Sequence, residues 1–250
     1  MYNDIKKIAI VVAMDSELRL IIDSMNIESD TTDKQGFRFI QGKVKGHDDL
    51  DVLVAKSGIG KVNSAVCATK IIETFSPDIY VSSGVCGCLN KTSGIKQGDI
   101  LVNTATIYHD AYCGDKVGQI QGMPLWFIPW ENTVDFIIYL HSHISGGIYG
   151  CRMISGDWFV DDKKKAREIY DSMCKNDEHI YGIDMESGSI SQVCHLYGVP
   201  FVGIRIVSDT PLMEGDVPTY DDFWTNAPDT LNKMLMGLFD YIKNKGEWRR

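Results

Sequence analysis

The sequence predicts an α/β fold, one domain over residues 1–250 with a mainly parallel sheet covered by helices. Short β-branched runs alternate with segments whose apolar residues recur three or four apart, so strands and helices follow each other. Several of the strand segments are apolar on both faces, as in a sheet covered on both sides. The 250 residues, 44% of them apolar, suffice to bury a core. No low-complexity tract, internal repeat or Pro/Gly/Ser linker divides them.

The first strand, Ile8–Ala13, lies in the longest purely apolar stretch, Ile8 to Met14, far short of the roughly 20 residues that cross a bilayer. Ser16–Met25 follows with helical spacing, then strands Phe37–Val44 and Val52–Lys56. Helix Lys61–Phe75 leads to strands Ile79–Ser83 and Ile100–Ile107. Helix Asn132–His143, strand Ile148–Ile154, helix Asp162–Cys174 and strand His179–Ile183 continue the alternation. Helix Glu186–Tyr197, strand Phe201–Val207 and helix Asp221–Lys243 complete it. In such folds ligands bind beyond the carboxyl ends of strands. The segments that directly follow strands are therefore expected to converge: Met14–Glu17, Ser57–Lys61, Gly84–Leu89, Tyr108–Asp110, Ser155–Phe159, Asp184–Ser187 and Ser208–Asp209.

The charge balance excludes whole classes of partner. With 34 acidic against 25 basic residues the net charge is −9, which gives no grip on nucleic acid phosphates or anionic membranes. The N-terminal apolar run is short for a signal peptide and no small-residue cleavage site follows it, so a cytosolic protein is expected. The seven cysteines are odd in number and scattered, which predicts free thiols in a reducing compartment.

Several motifs fail on inspection. Gly58-Ile59-Gly60-Lys61 has Ala55 and Val62 where a phosphate loop needs Gly and Ser/Thr, and Asn63 where a dinucleotide fingerprint needs its third glycine. It reads as a tight turn that turns backbone N–H groups to a ligand or starts a helix. Cys86 and Cys88 have no second Cys/His pair at zinc spacing, and His141 and His143 fall on different helix faces. No metal site and no cofactor is expected. No Gly-x-Ser-x-Gly elbow occurs.

What remains is acidic. Glu17, Glu186 and Asp209 each follow a strand. Singly, Glu17 and Glu186 are explained by the helix dipole and Asp209 by the turn at Thr210-Pro211. Three carboxylates on one rim also suit cleavage through an oxocarbenium-like centre, where one acid protonates the leaving group and another activates water. An N-glycosidic bond fits that chemistry. Burial beside Phe159 and Val160 would supply the raised pKa that the acid needs.

These residues lie in seven ordered motifs. They are Ala13-Met14-Asp15-Ser16-Glu17, Lys56-Ser57-Gly58-Ile59-Gly60-Lys61-Val62, Gly98-Asp99-Ile100, Tyr108-His109-Asp110-Ala111, Ser155-Gly156-Asp157-Trp158-Phe159, Asp184-Met185-Glu186 and Arg205-Ile206-Val207-Ser208-Asp209. Together they resemble the 5′-methylthioadenosine/S-adenosylhomocysteine nucleosidase family, in the purine nucleoside phosphorylase and uridine phosphorylase superfamily. The resemblance spans almost the whole chain. It implies a single nucleoside phosphorylase-like α/β domain around a twisted mixed sheet, a homodimer, and a small purine nucleoside as substrate.

Residue by residue, the resemblance implies that Glu17 deprotonates the attacking water and Asp209 protonates purine N7 and reads the 6-amino group. Glu186 would hold the ribose hydroxyls, with Met185 against the sugar. Phe159 would stack on adenine, and the Val160 backbone would meet its edge. Ser208 and Arg205 would orient Asp209 and the water site, and Ile59 and Tyr220 would lie near the 5′-thio substituent. Cys86 and Gly87 belong to the glycine loop beside the ribose. That loop reads Gly-Ser-Ala-Gly in the family and Gly84-Val85-Cys86-Gly87 here, isopropyl in place of hydroxyl. The acidic triplet is reduced to Asp15-Ser16-Glu17, and the segment after Ala111 is shorter. The segment Thr210–Thr219 is slightly longer. Trp126, Phe127 and Trp130 read as core or dimer contact.

Three functions stand against each other: a nucleosidase, a phosphorylase of the same superfamily, and a nucleoside-binding relative with impaired catalysis. Ser82 stands where the phosphorylases carry Arg and Val85 where they carry a phosphate-binding Ser, which ranks hydrolysis above phosphorolysis. Val85 is the feature that favours the impaired relative.

Overall fold

The computed structural model describes residues 5–89, 94–114, 116–174, 179, 181–213, 223 and 228–248. Its strands are β1 (Lys7–Val12), β2 (Met25–Thr32), β3 (Arg38–Val44), β4 (His47–Lys56), β5 (Ile79–Cys88), β6 (Ile100–Tyr108), the short pair β7 (Tyr112–Cys113) and β8 (Lys116–Val117), β9 (Ile148–Ser155), β10 (Tyr181–Asp184) and β11 (Phe201–Asp209). The helices are α1 (Asp15–Ile22), α2 (Lys61–Phe75), α3 (Thr133–His143), α4 (Lys163–Met173), α5 (Ser187–Tyr197) and α6 (Pro228–Trp248).

A mixed sheet runs in the order β10-β9-β6-β11-β5-β1-β4-β3-β2, and β10 also pairs with β5. That last pairing closes β5, β11, β6, β9 and β10 into a ring. Parallel pairs β4–β1–β5–β11 form its centre, with β3 and β2 added antiparallel on one side and β11–β6 antiparallel on the other. One apolar core packs α1, α3 and α6 on the sheet through residues such as Leu18, Phe136, Leu235 and Phe239. A second packs α2 and α5 through Ala68, Ile71, Ile190 and Cys194. A third lies under α4 through Ala166 and Ile169.

Two of the predicted segments change type in the structure. The expected helix 16–25 ends at Ile22, and Met25–Thr32 is a strand. After Met25 every residue of that edge strand is exposed, so the apolar alternation that marks a strand is missing. The glycine-rich stretch 84–88, expected as a loop, continues β5, held by β11 on one side and β10 on the other. The last helix is described from Pro228, and the expected start at 221 lies on residues outside the described set. Phe127 and Trp130 are buried, with Phe127 edge-on to Tyr108 and Trp130 edge-on to Tyr241. No helix among the described residues is long and apolar enough to cross a membrane.

Candidate active site

A cavity of about 450 Å³ opens at the carboxyl ends of β1, β5, β10 and β11. Glu17, Glu186 and Asp209 all line it, together with Ile59, Cys86, Gly87, Phe159, Val160, Met185 and Ser208. Tyr220 lies outside the described residues. The segments 14–17, 57–61, 84–89, 155–159, 184–187 and 208–209 each contribute to the wall. The segment 108–110 does not, and works one layer behind it.

Glu17 is the third residue of α1, where a glutamate reaches back to free amides of the helix start. Its Oε2 accepts from the N–H groups of Ala13 and Met14, both at 2.9 Å. Its Oε1 accepts from Val85 N–H at 3.2 Å, across the sheet. A place in the first turn of the helix therefore accounts for only part of what holds Glu17. Gly84 makes the approach possible: a Cβ there would stand 2.5 Å from Oε1. Burial raises the pKa of Glu17 above the ordinary carboxylate value, while the Met14 amide and the Arg205 charge pull the other way.

Glu186 directly precedes α5 and accepts from Gly60 N–H at 2.9 Å. Burial, and then the charge of Asp184, raise its pKa to about 7. Gly60 has φ 93°, a left-handed conformation that glycine adopts without strain. The next amide, Lys61 N–H, donates to Asp157 Oδ1 at 2.7 Å. The start of α2 thus presents its amides to carboxylates of the protein itself.

Asp209 closes β11. Burial raises its pKa, and the Ser208 hydroxyl, 2.7 Å from Oδ1, opposes the rise. The same Ser208 Oγ lies 3.0 Å from the Cys86 carbonyl oxygen.

Arg205 departs from its expected role at Asp209. It does not touch Asp209 and does not line the main cavity. It is buried in β11, where Nε donates to Asp184 Oδ2 at 3.0 Å. Nη1 donates to the carbonyls of Ser82 and Ile204, and Nη2 to the hydroxyls of Ser82 and Ser187. All five N–H groups are engaged, leaving none for Asp209 or a ligand. Its charge acts through space on Glu17 and Glu186. Asp184, Ser82 and Ser187, which hold Arg205, have no assigned role in the sequence reading. The available signal is an acid that ends a strand two residues before Glu186.

Behind Glu17 a pocket of about 10 Å³, near the size of one water, is lined by Ser82, Ser83, Gly84, Glu186 and Arg205 among others. Asp110 supports the wall from outside: it accepts from Lys61 Nζ at 2.7 Å and from Asp157 N–H at 2.8 Å. Among the described residues no group of three or more His, Cys, Asp or Glu side chains is placed to hold a metal ion.

The family profile described as Phosphorylase superfamily matches residues 7–240. A 5′-methylthioadenosine/S-adenosylhomocysteine nucleosidase of Bacillus thuringiensis (strain Al Hakam) is 31% identical over 243 residues, covering 95% of this chain and 100% of that protein. Among solved structures, the nucleosidase of that name from Neisseria meningitidis, in complex with methylthio-immucillin-A, is 28% identical with a TM-score of 0.81, covering 93% of this chain and 98% of that one. A futalosine hydrolase of Helicobacter pylori is 25% identical with a TM-score of 0.80, covering 94% and 98%. The chain belongs to the phosphorylase superfamily and, within it, to the 5′-methylthioadenosine/S-adenosylhomocysteine nucleosidase family.

Proposed function

We infer that this protein hydrolyses the N-ribosidic bond of 5′-thioadenosines, 5′-methylthioadenosine and S-adenosylhomocysteine, to adenine and the 5-thioribose. The observation that carries the reading is the meeting of Glu17, Glu186 and Asp209 on one cavity, from chain segments nearly 200 residues apart. Burial raises the pKa of Glu17 and Asp209, the two groups that move protons in this reading, and that of Glu186 beside them.

In this reading Asp209 gives a proton to purine N7, which turns adenine into a neutral leaving group. The C1′–N9 bond breaks and leaves positive charge on the ribosyl. Glu17 takes a proton from water as its oxygen bonds C1′, and the backbone amides that fix Glu17 fix its aim. Glu186 accepts from the ribose hydroxyls, and the carboxylates favour the cationic sugar. Ser208 suits both states of Asp209. Its proton turns to an ionised Asp209, or to the Cys86 carbonyl when Asp209 is protonated and itself donates to Ser208. Phe159 and the Val160 backbone would receive adenine, Met185 the sugar, and Ile59 the 5′ substituent. Cys86 and Gly87 would flank the ribose and Asp209. Arg205 is a positioning residue.

The same reading takes the chain as one domain and the enzyme as a cytosolic homodimer. Seven free cysteines support the reducing compartment. Ile59, Val62 and Val66, exposed at the start of α2 beside the cavity, support a contact between copies.

The test is adenine release from 5′-methylthioadenosine with and without phosphate. Equal rates are expected, with free thioribose as product. A rate that depends on phosphate and yields a sugar 1-phosphate would replace hydrolysis by phosphorolysis. Tight thioadenosine binding with no adenine released over hours would make this the impaired relative.

A further inference from the structure

Trp158 lines the cavity next to Phe159, and the reaction as described gives it no part. Trp158 is 51% exposed and Phe159 53%, and both line the cavity. The segment that carries them is fixed on several sides. Asp157, one residue earlier, accepts from Lys61 N–H and donates its own N–H to Asp110. Trp158 N–H donates to the Gly156 carbonyl at 2.9 Å. Lys165 of α4 places Nζ 4.4 Å from the centroid of the Trp158 ring. An ammonium over an indole face restrains the ring by attraction to its π-electrons. An exposed aromatic held this firmly is a preformed surface for a flat partner, because little side-chain entropy remains to be lost on binding.

We propose that Trp158, clamped by Lys165, is a ligand-contacting wall of the base site and sets part of its affinity for adenine. The proposal rests on the adenosine-site reading of the cavity. Of the five tryptophans Trp158 lines the cavity and Trp126 and Trp130 do not, and loss of a fluorescence response in Trp158→Phe, which keeps the other four, assigns that response to Trp158.

Adenine is titrated into the intact protein and into Trp158→Phe, Trp158→Ala and Lys165→Met, with intrinsic tryptophan fluorescence and calorimetry as readouts. The wild-type emission should change on saturation, and Trp158→Phe should lose most of that change while still binding. Trp158→Ala should weaken adenine by roughly 3- to 10-fold, the span of one aromatic contact. Lys165→Met should weaken it by roughly 2- to 3-fold. With thioadenosine, KM should rise in both variants more than kcat falls. Wild-type affinity in Trp158→Ala, or an undiminished fluorescence change in Trp158→Phe, overturns the proposal and leaves the proposed function intact. So does an oligomeric state that shifts in Trp158→Ala while adenine affinity stays unchanged, since Trp158 would then serve a contact between copies. No adenine binding to the wild type by calorimetry overturns the proposal, and the proposed function then stands or falls by adenine release from 5′-methylthioadenosine.

Discussion

On one part of the cavity wall Glu17, buried, and Glu186, half-buried, are gripped by backbone amides from Ala13, Met14, Val85 and Gly60, whereas on another Trp158 and Phe159 stand half exposed between β9 and α4. The first part is assembled from strand ends and helix starts, which leave the carboxylates little freedom. The second is a loop tied down by side chains: Asp157, Asp110, Lys61 and Lys165. Chemistry that depends on aim sits on the backbone framework, and recognition that depends on covering apolar area sits on the loop. Substitutions in the first should therefore act on kcat or on folding, and substitutions in the second on KM.

Glu17→Gln should give the largest effect. The amide keeps the size of the carboxylate but cannot take a proton from water, and its NH2 group meets amides that need an acceptor. A fall in kcat of about 10²–10⁴-fold is expected, with KM changed far less. Steady-state adenine release measures it. An unchanged kcat would remove Glu17 from the chemistry and erase the distinction between the two parts of the wall.

Arg205→Met attacks the framework rather than the reacting groups. It leaves Asp184 buried with its main partner gone, and frees the hydroxyl of Ser82 and one bond of Ser187. Breaking one side of such a buried pair costs about 3–5 kcal/mol. Denaturant unfolding should show that loss. Glu17 and Glu186 would also lose the positive charge that lowers their pKa values, so activity should need a higher pH.

Glu186→Gln sharpens the comparison through pH. The folded-state pKa of Glu186 is raised from 4.5 to about 7, so between those values the folded chain binds more protons than the unfolded one. Stability then falls as pH rises from 4.5 to about 7. Glu17, also raised by burial, contributes in the same sense. Glu186→Gln should flatten part of that decline, read from unfolding midpoints at successive pH values. A profile as steep as that of the wild type would mean that Glu186 is not held above its ordinary range.

The sequence shows the three acids because each follows an apolar β-branched run, a place where a charge is conspicuous. It does not show what surrounds them. Arg205 lies between Ile204 and Ile206 in a strand, and pattern alone cannot tell whether such a charge faces solvent or an ion pair in the core. Its partners Ser82, Asp184 and Ser187 come from β5, the end of β10 and the start of α5, and only the folded sheet brings them together. Polar composition hides β2, and glycine hides the end of β5. In both cases pairing with a neighbour overrides the local signal. Trp158 stands in a recognisable motif, but its clamp by a lysine seven residues later depends on how the loop enters α4.

Val85→Ser should give the smallest effect, and it decides what the departure from the family's glycine loop means. The contact that Val85 makes with Glu17 runs through its backbone N–H, which the substitution leaves in place. Its side chain packs, half-buried, against the core that includes α1. Exchanging isopropyl for hydroxymethyl should therefore lower stability by about 1 kcal/mol and change kcat by less than about tenfold. A hydroxyl that donated to the Glu17 carboxylate would lower rather than raise its basicity. Parallel measurements of kcat and unfolding midpoint check both. If kcat instead rises by about 100-fold or more, the side chain at position 85 and not the backbone governs the water site, and the native Val85 marks an enzyme held well below the rate its framework allows.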